Sequence, residues 1–356
     1  MKKHYIIILL LSIYMVHARS MEFTSAKTYA RIEKNLIQAE EWGLKALEKE
    51  PKNSYIAFFL GKEVYLPKNK KKEAGEMFVL ALKLPDKKLE QPFRIGKINI
   101  KTVHQEIKLR SNDFQNFAYE QYNQKNYLST LEMINMAIKL DTTNSSAYMF
   151  KAELEYTQNN NLKNTLLLIN QAIEHSKDDI EELNFYFTKI GYLRKGKQYD
   201  EVKKMLTSFL ENSPNDIRTN RELFLLYIDM DLLDQAINVG NPLLLIMEED
   251  TNIEMDLISE TAYILGICYR NKASQIYNKI LAYQSDTEQT NEKTQNLISS
   301  ANEAQEFYEV AKDYFQTSIN YDEKGRFDAK ELKKDMRKMR KKINNEIIPL
   351  LEGFIK

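Results

Sequence analysis

The sequence predicts an all-α, right-handed solenoid of helical hairpins, and three observations predict it. Residues 111 to 178 repeat one apolar spacing: Phe114, Phe117-Ala118, Tyr122, Tyr127, Thr130, Ile134 and Ala137, then Tyr148, Ala152, Tyr156, Thr165, Leu168 and Ala172. Ala137 and Ala172 stand 35 apart, close to the length of a two-helix repeat. Only 10 Gly and 7 Pro interrupt 356 residues, of which 43% are hydrophobic, a balance that suits helices sharing a core rather than sheets. Polar runs (Asn123 to Asn126, Asp141 to Ser146) fall between the apolar stretches and offer side-chain oxygens as helix N-caps. Neither helix of such a unit buries its apolar stripe alone, so neighbours must stack.

From the N-terminus, Lys2 and Lys3 precede the apolar run Tyr5 to Val16, and small residues follow at Val16-His17-Ala18 and Ala18-Arg19-Ser20. Residues 1–20 are therefore expected to be a secretory signal, since a membrane-spanning helix needs roughly 20 apolar residues. No Cys follows the run to carry a lipid. Cleavage after Ala18 takes Lys2 and Lys3 from the 51 basic residues, leaving 49 against 51 acidic ones. Near-neutral charge excludes a general pull toward nucleic acid or anionic lipid. Cys268 is the only Cys, so no intrachain disulfide forms.

Residues 21–85 are expected to hold the N-terminal repeats. The first keeps Ala39, Gly43, Ala46 and Pro51, with an irregular first helix near Tyr29, Ile32 and Leu36. The second keeps Leu60-Gly61, Val64, Ala74, Phe78, Ala81 and Pro85. The Lys68 to Lys72 run is expected as a solvated turn. Between Ala81 and Ala137 lie 56 positions, so residues 86–110 are an insertion, either a loop with a short strand or an extra helix. Central repeats occupy 111–252, with Phe209 and Leu243 again 34 apart. In 253–323, Leu265-Gly266 and Tyr269 open a repeat that Ala311, Phe315 and Ser318 close, and the apolar pattern continues between them. An elongated hairpin is expected there, with a polar tip at Ser285 to Thr294, followed by a basic capping helix in 324–356.

These positions resemble the tetratricopeptide pattern of an aromatic, Leu-Gly, Tyr, Ala, Phe, Ala and Pro. The stretch Leu265-Gly266 through Asn271-Lys272-Ala273 to Tyr277-Asn278 resembles exported repeat proteins of the Bacteroidetes type. The resemblance implies about six to seven repeats whose first helices line a concave wall that binds a protein or peptide. In register, that wall would expose Tyr119, Asn123, Met149, Glu153, Tyr156, Tyr192, Arg221, Tyr263 and Arg270. Tyr and Arg anchor interfaces because they offer large contact area with a polar tip, although helical aromatic stripes are also ordinary core. The carboxylate clamp with which some family members hold chaperone C-termini is not expected, because Gln115, Tyr119, Met149 and Glu153 stand where its cations would.

No catalytic motif is present: HExxH, GxSxG, a phosphate-binding glycine loop and CxxC are all missing, and only His104 and His175 lie beyond the leader. Asn320, Asp322, Lys324, Gly325, Phe327, Asp328 and Glu331 imitate a calcium-loop spacing, but Lys324 puts a cation where a ligand oxygen belongs. The expectation is a noncatalytic, exported scaffold without cofactor or metal. It would bind a protein or peptide, not nucleic acid, with no membrane span after cleavage and peripheral association with the envelope. The alternative is a structural subunit of an envelope or secretion complex, docking through the elongated hairpin over 256–321.

Overall fold

A computed structural model gives the structure of residues 20–283 and 290–355. The signal segment and part of the hairpin tip lie outside the described residues. The architecture is the predicted all-α solenoid of helical hairpins, broken by one β-hairpin. The chain divides into two compact units, one ending at Lys189 and one beginning at Ile190.

In the first unit, α1 (Met21–Arg31) pairs with α2 (Leu36–Lys49). Then α3 (Ser54–Phe59) continues as a wider π-helical turn (Leu60–Tyr65) and pairs with α4 (Lys71–Lys83). Strands β1 (Lys88–Ile95) and β2 (Ile98–Thr102) form the antiparallel hairpin. Helix pairs α5 (Val103–Asn123) with α6 (Tyr127–Leu140), and α7 (Ser145–Asn159) with α8 (Leu162–Glu174), follow. Helix α9 (Asp179–Lys195) contains the division. The second unit continues with α10 (Tyr199–Asn212), α11 (Ile217–Asp229), α12 (Leu233–Glu249), α13 (Met255–Tyr283) and α14 (Asn291–Tyr321). It ends with α15 (Ala329–Lys342), which runs through a π-helical segment (Ile343–Ile347) into α16 (Ile348–Glu352).

The repeat is written in the backbone as well as in the side chains. Lys34, Asn69, Lys125, Asn160, Lys197 and Asp231 all have φ between 49° and 60°, and each directly precedes the N-cap of a second helix. A left-handed residue there turns the chain back within very few residues. Asparagine then caps the helix where the sequence offers one: Asn35, Asn126 and Asn161 each accept from the backbone N–H three residues on. Asn144 does the same for α7, so both polar runs predicted as capping turns act as such.

Packing is also repeated. Leu60-Gly61 and Leu265-Gly266 sit where two helices cross. A Cβ on Gly61 would stand 2.6 Å from the Phe78 ring, and one on Gly266 2.7 Å from the Phe315 ring. On three first helices, a buried serine donates to a carbonyl near the C-terminal end of the second helix or just past it: Ser54 to Pro85 (2.7 Å), Ser111 to Ala137 (2.8 Å) and Ser259 to Ser318 (3.0 Å). In the first unit, edge-to-face ring pairs (Phe23–Phe59, Phe78–Phe114, Phe114–Phe117) run through the core.

Three expectations change. Leu36 does not belong to the first helix: Lys34 turns the chain and Asn35 caps α2, so Leu36 opens the second helix. The insertion at 86–110 is neither a loop with one short strand nor an extra helix: it is a two-stranded β-hairpin, followed by an N-terminal extension that starts α5 at Val103, ahead of Ser111. The hairpin closes with Ile95 opposite Ile98, and Gly96 takes φ 55° as the first residue of a two-residue turn. The lysine run after α3 is not merely solvated, because Lys68 and Lys70 both pair with Glu40 and Lys71 pairs with Glu120.

Helices α13 and α14 span 29 and 31 residues. They run antiparallel, since Ser259 meets Ser318 near one end while Ser274 meets Tyr308 farther along. Alanines at 273, 301, 304 and 311 let the two backbones approach, and Tyr277, Tyr308 and Phe315 fill the space beside them. Met336, Ile343, Ile347 and Leu351 bury the basic C-terminal helix against the same cluster.

Candidate binding surfaces

The first-helix positions fall into two groups, one in each unit. In the first unit, α5 carries Tyr119 and Asn123 while α7 carries Met149, Glu153 and Tyr156. Tyr119 keeps 43% of its surface exposed, yet its ring lies flat on Phe150, with centroids 4.1 Å apart and planes 16° apart. Phe150 is buried and also receives the edge of Tyr122. Tyr119 is thus an exposed aromatic held on a rigid base. Asn123 and Glu153 are exposed, and Met149 and Tyr156 are half-buried.

In the second unit, Tyr192 on α9 is half-buried with the Lys195 ammonium 5.1 Å from its ring centre. Arg221 on α11 pairs with Glu260 of α13 at 2.7 Å. Arg270 donates to the Asn271 side chain at 3.1 Å. Tyr263 is committed elsewhere: its hydroxyl donates to Asp328 Oδ1 at 2.6 Å and its ring stacks on Phe327, 4.7 Å away. Burial first, and then the bond to Asp328, push its pKa up to about 12. That tyrosine fastens the turn before α15.

The calcium-like run is spent on the same turn. Asp322 accepts from the Phe327 backbone N–H at 3.1 Å, Lys324 pairs with Asp256 at 3.2 Å, and Asn320 accepts from Gln316 at 2.6 Å. Among the described residues, no cluster of three or more His, Cys, Asp or Glu is placed to hold a metal ion. Cys268 is buried, and burial pushes its thiol up to about 12, away from the thiolate a nucleophile requires.

One feature of the first unit had no counterpart in the sequence reading. A cavity of about 570 Å³ opens between α1, α3, α5 and β1. On one wall the Arg31 guanidinium grips Glu63 with two bonds of 2.6 Å and reaches Glu90 at 3.0 Å. The bond to Glu63 is the main reason its pKa is raised. On another wall Glu106, almost wholly buried, accepts from Lys62 at 2.6 Å and Arg110 at 2.8 Å. Tyr55 lines the space, and burial pushes its hydroxyl up to about 12. With acids and bases matched in pairs, the cavity is a polar seam with apolar sides rather than a site of concentrated charge. Isolated charges on separate repeats leave no sequence motif. The only available signal was the surplus length at 86–110.

No family model matches the sequence, and no curated protein is similar to it. Solved structures give matches at low identity. A tetratricopeptide repeat protein from Parabacteroides merdae is 17% identical over 89% of this chain and all of its own, with a TM-score of 0.36. The C-terminal part of a repeat protein from Cytophaga hutchinsonii is 13% identical over 87% of this chain and 98% of its own, at 0.43. A repeat protein from Bacteroides fragilis is 17% identical over 64% of this chain and 98% of its own, at 0.34.

Proposed function

We propose that this chain is a noncatalytic repeat scaffold, exported to the periplasm or cell envelope, that holds a protein or peptide on the first-helix surface of its hairpins. The observation that carries this reading is Tyr119. Burying an exposed aromatic already immobilised on Phe150 costs little side-chain entropy, and a partner gains a large contact there. Met149 and Glu153 on α7 supply an adaptable apolar contact and a charge that discriminates among ligands. Export is supported by the layout of residues 1–20. The envelope association proposed is peripheral, and no helix among the described residues is long and apolar enough to cross a membrane.

A second reading is favoured by the lengths of α13 and α14, which exceed every other helix described. They would serve as an arm docking the chain into an envelope or secretion complex. One experiment separates the two. Partners are crosslinked in intact cells to the parent, to a Tyr119→Ala/Met149→Ala variant, and to a variant shortened at the α13–α14 tip. Capture lost in the first variant alone assigns the partner to the first-helix surface. Capture lost only on shortening assigns it to the arm and overturns the first reading.

A further inference from the structure

The β-hairpin rests on the helices of the first unit only at its base, where Glu90 meets Lys27 and Arg31 of α1. Leu89 and Ile100 are buried at its base, but every residue from Gln91 to Asn99 is exposed. Register decides what that projection presents. Phe93 faces Ile100 and Ile95 faces Ile98, so these four share one face of the ribbon. Arg94 lies opposite Asn99 on the other face, with Lys101 on the same side by alternation. The apolar face continues past its buried base onto Phe93, Ile95 and Ile98, which are 39%, 50% and 63% exposed. Water gains nothing from that arrangement, and a hairpin serving only to close the helix stack would end its apolar face where the stack ends.

The charge on the ribbon itself is mostly of one sign. Arg94 and Lys97 stand at the turn end and Lys87, Lys88 and Lys101 at the base, all exposed. The one acid within 87–101, Glu90, is turned inward and held by Lys27 and Arg31. The turn is fixed by Gly96 in the left-handed region and by Arg94 Nε donating to the Gly96 carbonyl at 2.7 Å.

We infer that this hairpin docks the chain on an anionic phospholipid surface, with Phe93, Ile95 and Ile98 entering the headgroup boundary and the surrounding cations meeting lipid phosphates. Phe93 also lines the cavity beside α1, α3 and α5, whereas Ile95 and Ile98, which flank the turn and are not among its lining residues, are the more exposed of the three. Aliphatic and aromatic side chains flanked by Lys and Arg stems match the graded polarity of a bilayer interface. The inference names the surface behind the envelope association proposed above and is independent of what the first-helix surface holds.

The test labels the turn. Lys97→Cys in the full chain is coupled to an environment-sensitive fluorophore, while the folded chain shields the buried Cys268. Leu128→Cys, exposed at the start of α6, is the reference. Mixed phosphatidylcholine–phosphatidylglycerol vesicles should shift the residue-97 label to the blue and leave the residue-128 label unchanged. Phosphatidylcholine alone should shift neither, and salt should reverse the effect. Adding Ile95→Asp and Ile98→Asp, both largely exposed, should weaken vesicle affinity about tenfold or more with unchanged circular dichroism. A residue-97 label that stays in water while the chain still sediments with vesicles overturns the hairpin assignment and leaves envelope association standing. Equal shifts of both labels, or a shift caused only by added envelope protein, also overturn it.

Discussion

Leu60-Gly61 against Phe78 and Leu265-Gly266 against Phe315 are one contact made twice, and the chain between its halves differs almost threefold in length. In the first unit 17 residues separate glycine from phenylalanine; in the second, 49 do. The tether is different and the crossing is the same, down to a missing Cβ that would stand 2.6 or 2.7 Å from the ring. The comparison teaches that this repeat is specified where its helices cross, and that the distance to the turn is free to vary once the lengthened arms have their own seam. The long arms have one in Ala273, Tyr277, Ala301, Ala304 and Tyr308.

The largest test of that equivalence removes the rings. Phe78→Ala and Phe315→Ala each take a fully buried side chain from a crossing and should each cost about 3–5 kcal/mol in denaturant unfolding. A much smaller loss at Phe315 would mean that the long arms are held mainly by their alanine seam. Filling the notch is a milder insult. Gly61→Val and Gly266→Val should cost about 1–3 kcal/mol each, because a phenyl ring in a packed core cannot retreat as a flexible side-chain end can. If only one is tolerated, the two crossings are not equivalent.

The smallest effect is confined to alkaline solution. Burial holds the Cys268 thiol and the Tyr263 hydroxyl up to about 12, against unfolded values of about 8.5 and 10. Both are acids whose folded values are raised. Their contribution is therefore complete below about pH 8.5 and is lost progressively as pH climbs toward 12. Urea midpoints should be flat near neutrality and fall above about pH 9. Cys268 should react with thiol reagents only at the rate at which the chain opens. Rapid reaction at neutral pH would show that the second-unit crossing is looser than that of the first.

What could be read from the sequence was local or periodic. Ala137 and Ala172 mark the period because each sits at a crossing, where only a small residue fits. Asn126 and Asn144 were readable as caps because capping acts over three residues. The alternation Phe93, Ile95, Ile98, Ile100 around Gly96-Lys97 was a hairpin signal in plain view. A run this short leaves strand and helix undecided by periodicity alone. Tyr263 as a groove residue depended on its being uncovered, whereas its partners Phe327 and Asp328 lie about 65 residues further on. No pattern in the neighbourhood of a residue reveals which distant turn will cover it. The Arg31, Glu63 and Glu90 cluster was hidden for the same reason.

The π-helical turn at Leu60–Tyr65 carries two adjacent charges, Lys62 and Glu63. Both line one chamber, the lysine bound to Glu106 and the glutamate to Arg31. Two neighbours in sequence thus tie the chamber to two different helices at once, α1 through Arg31 and α5 through Glu106, so a shift of this one turn would strain both ionic latches together.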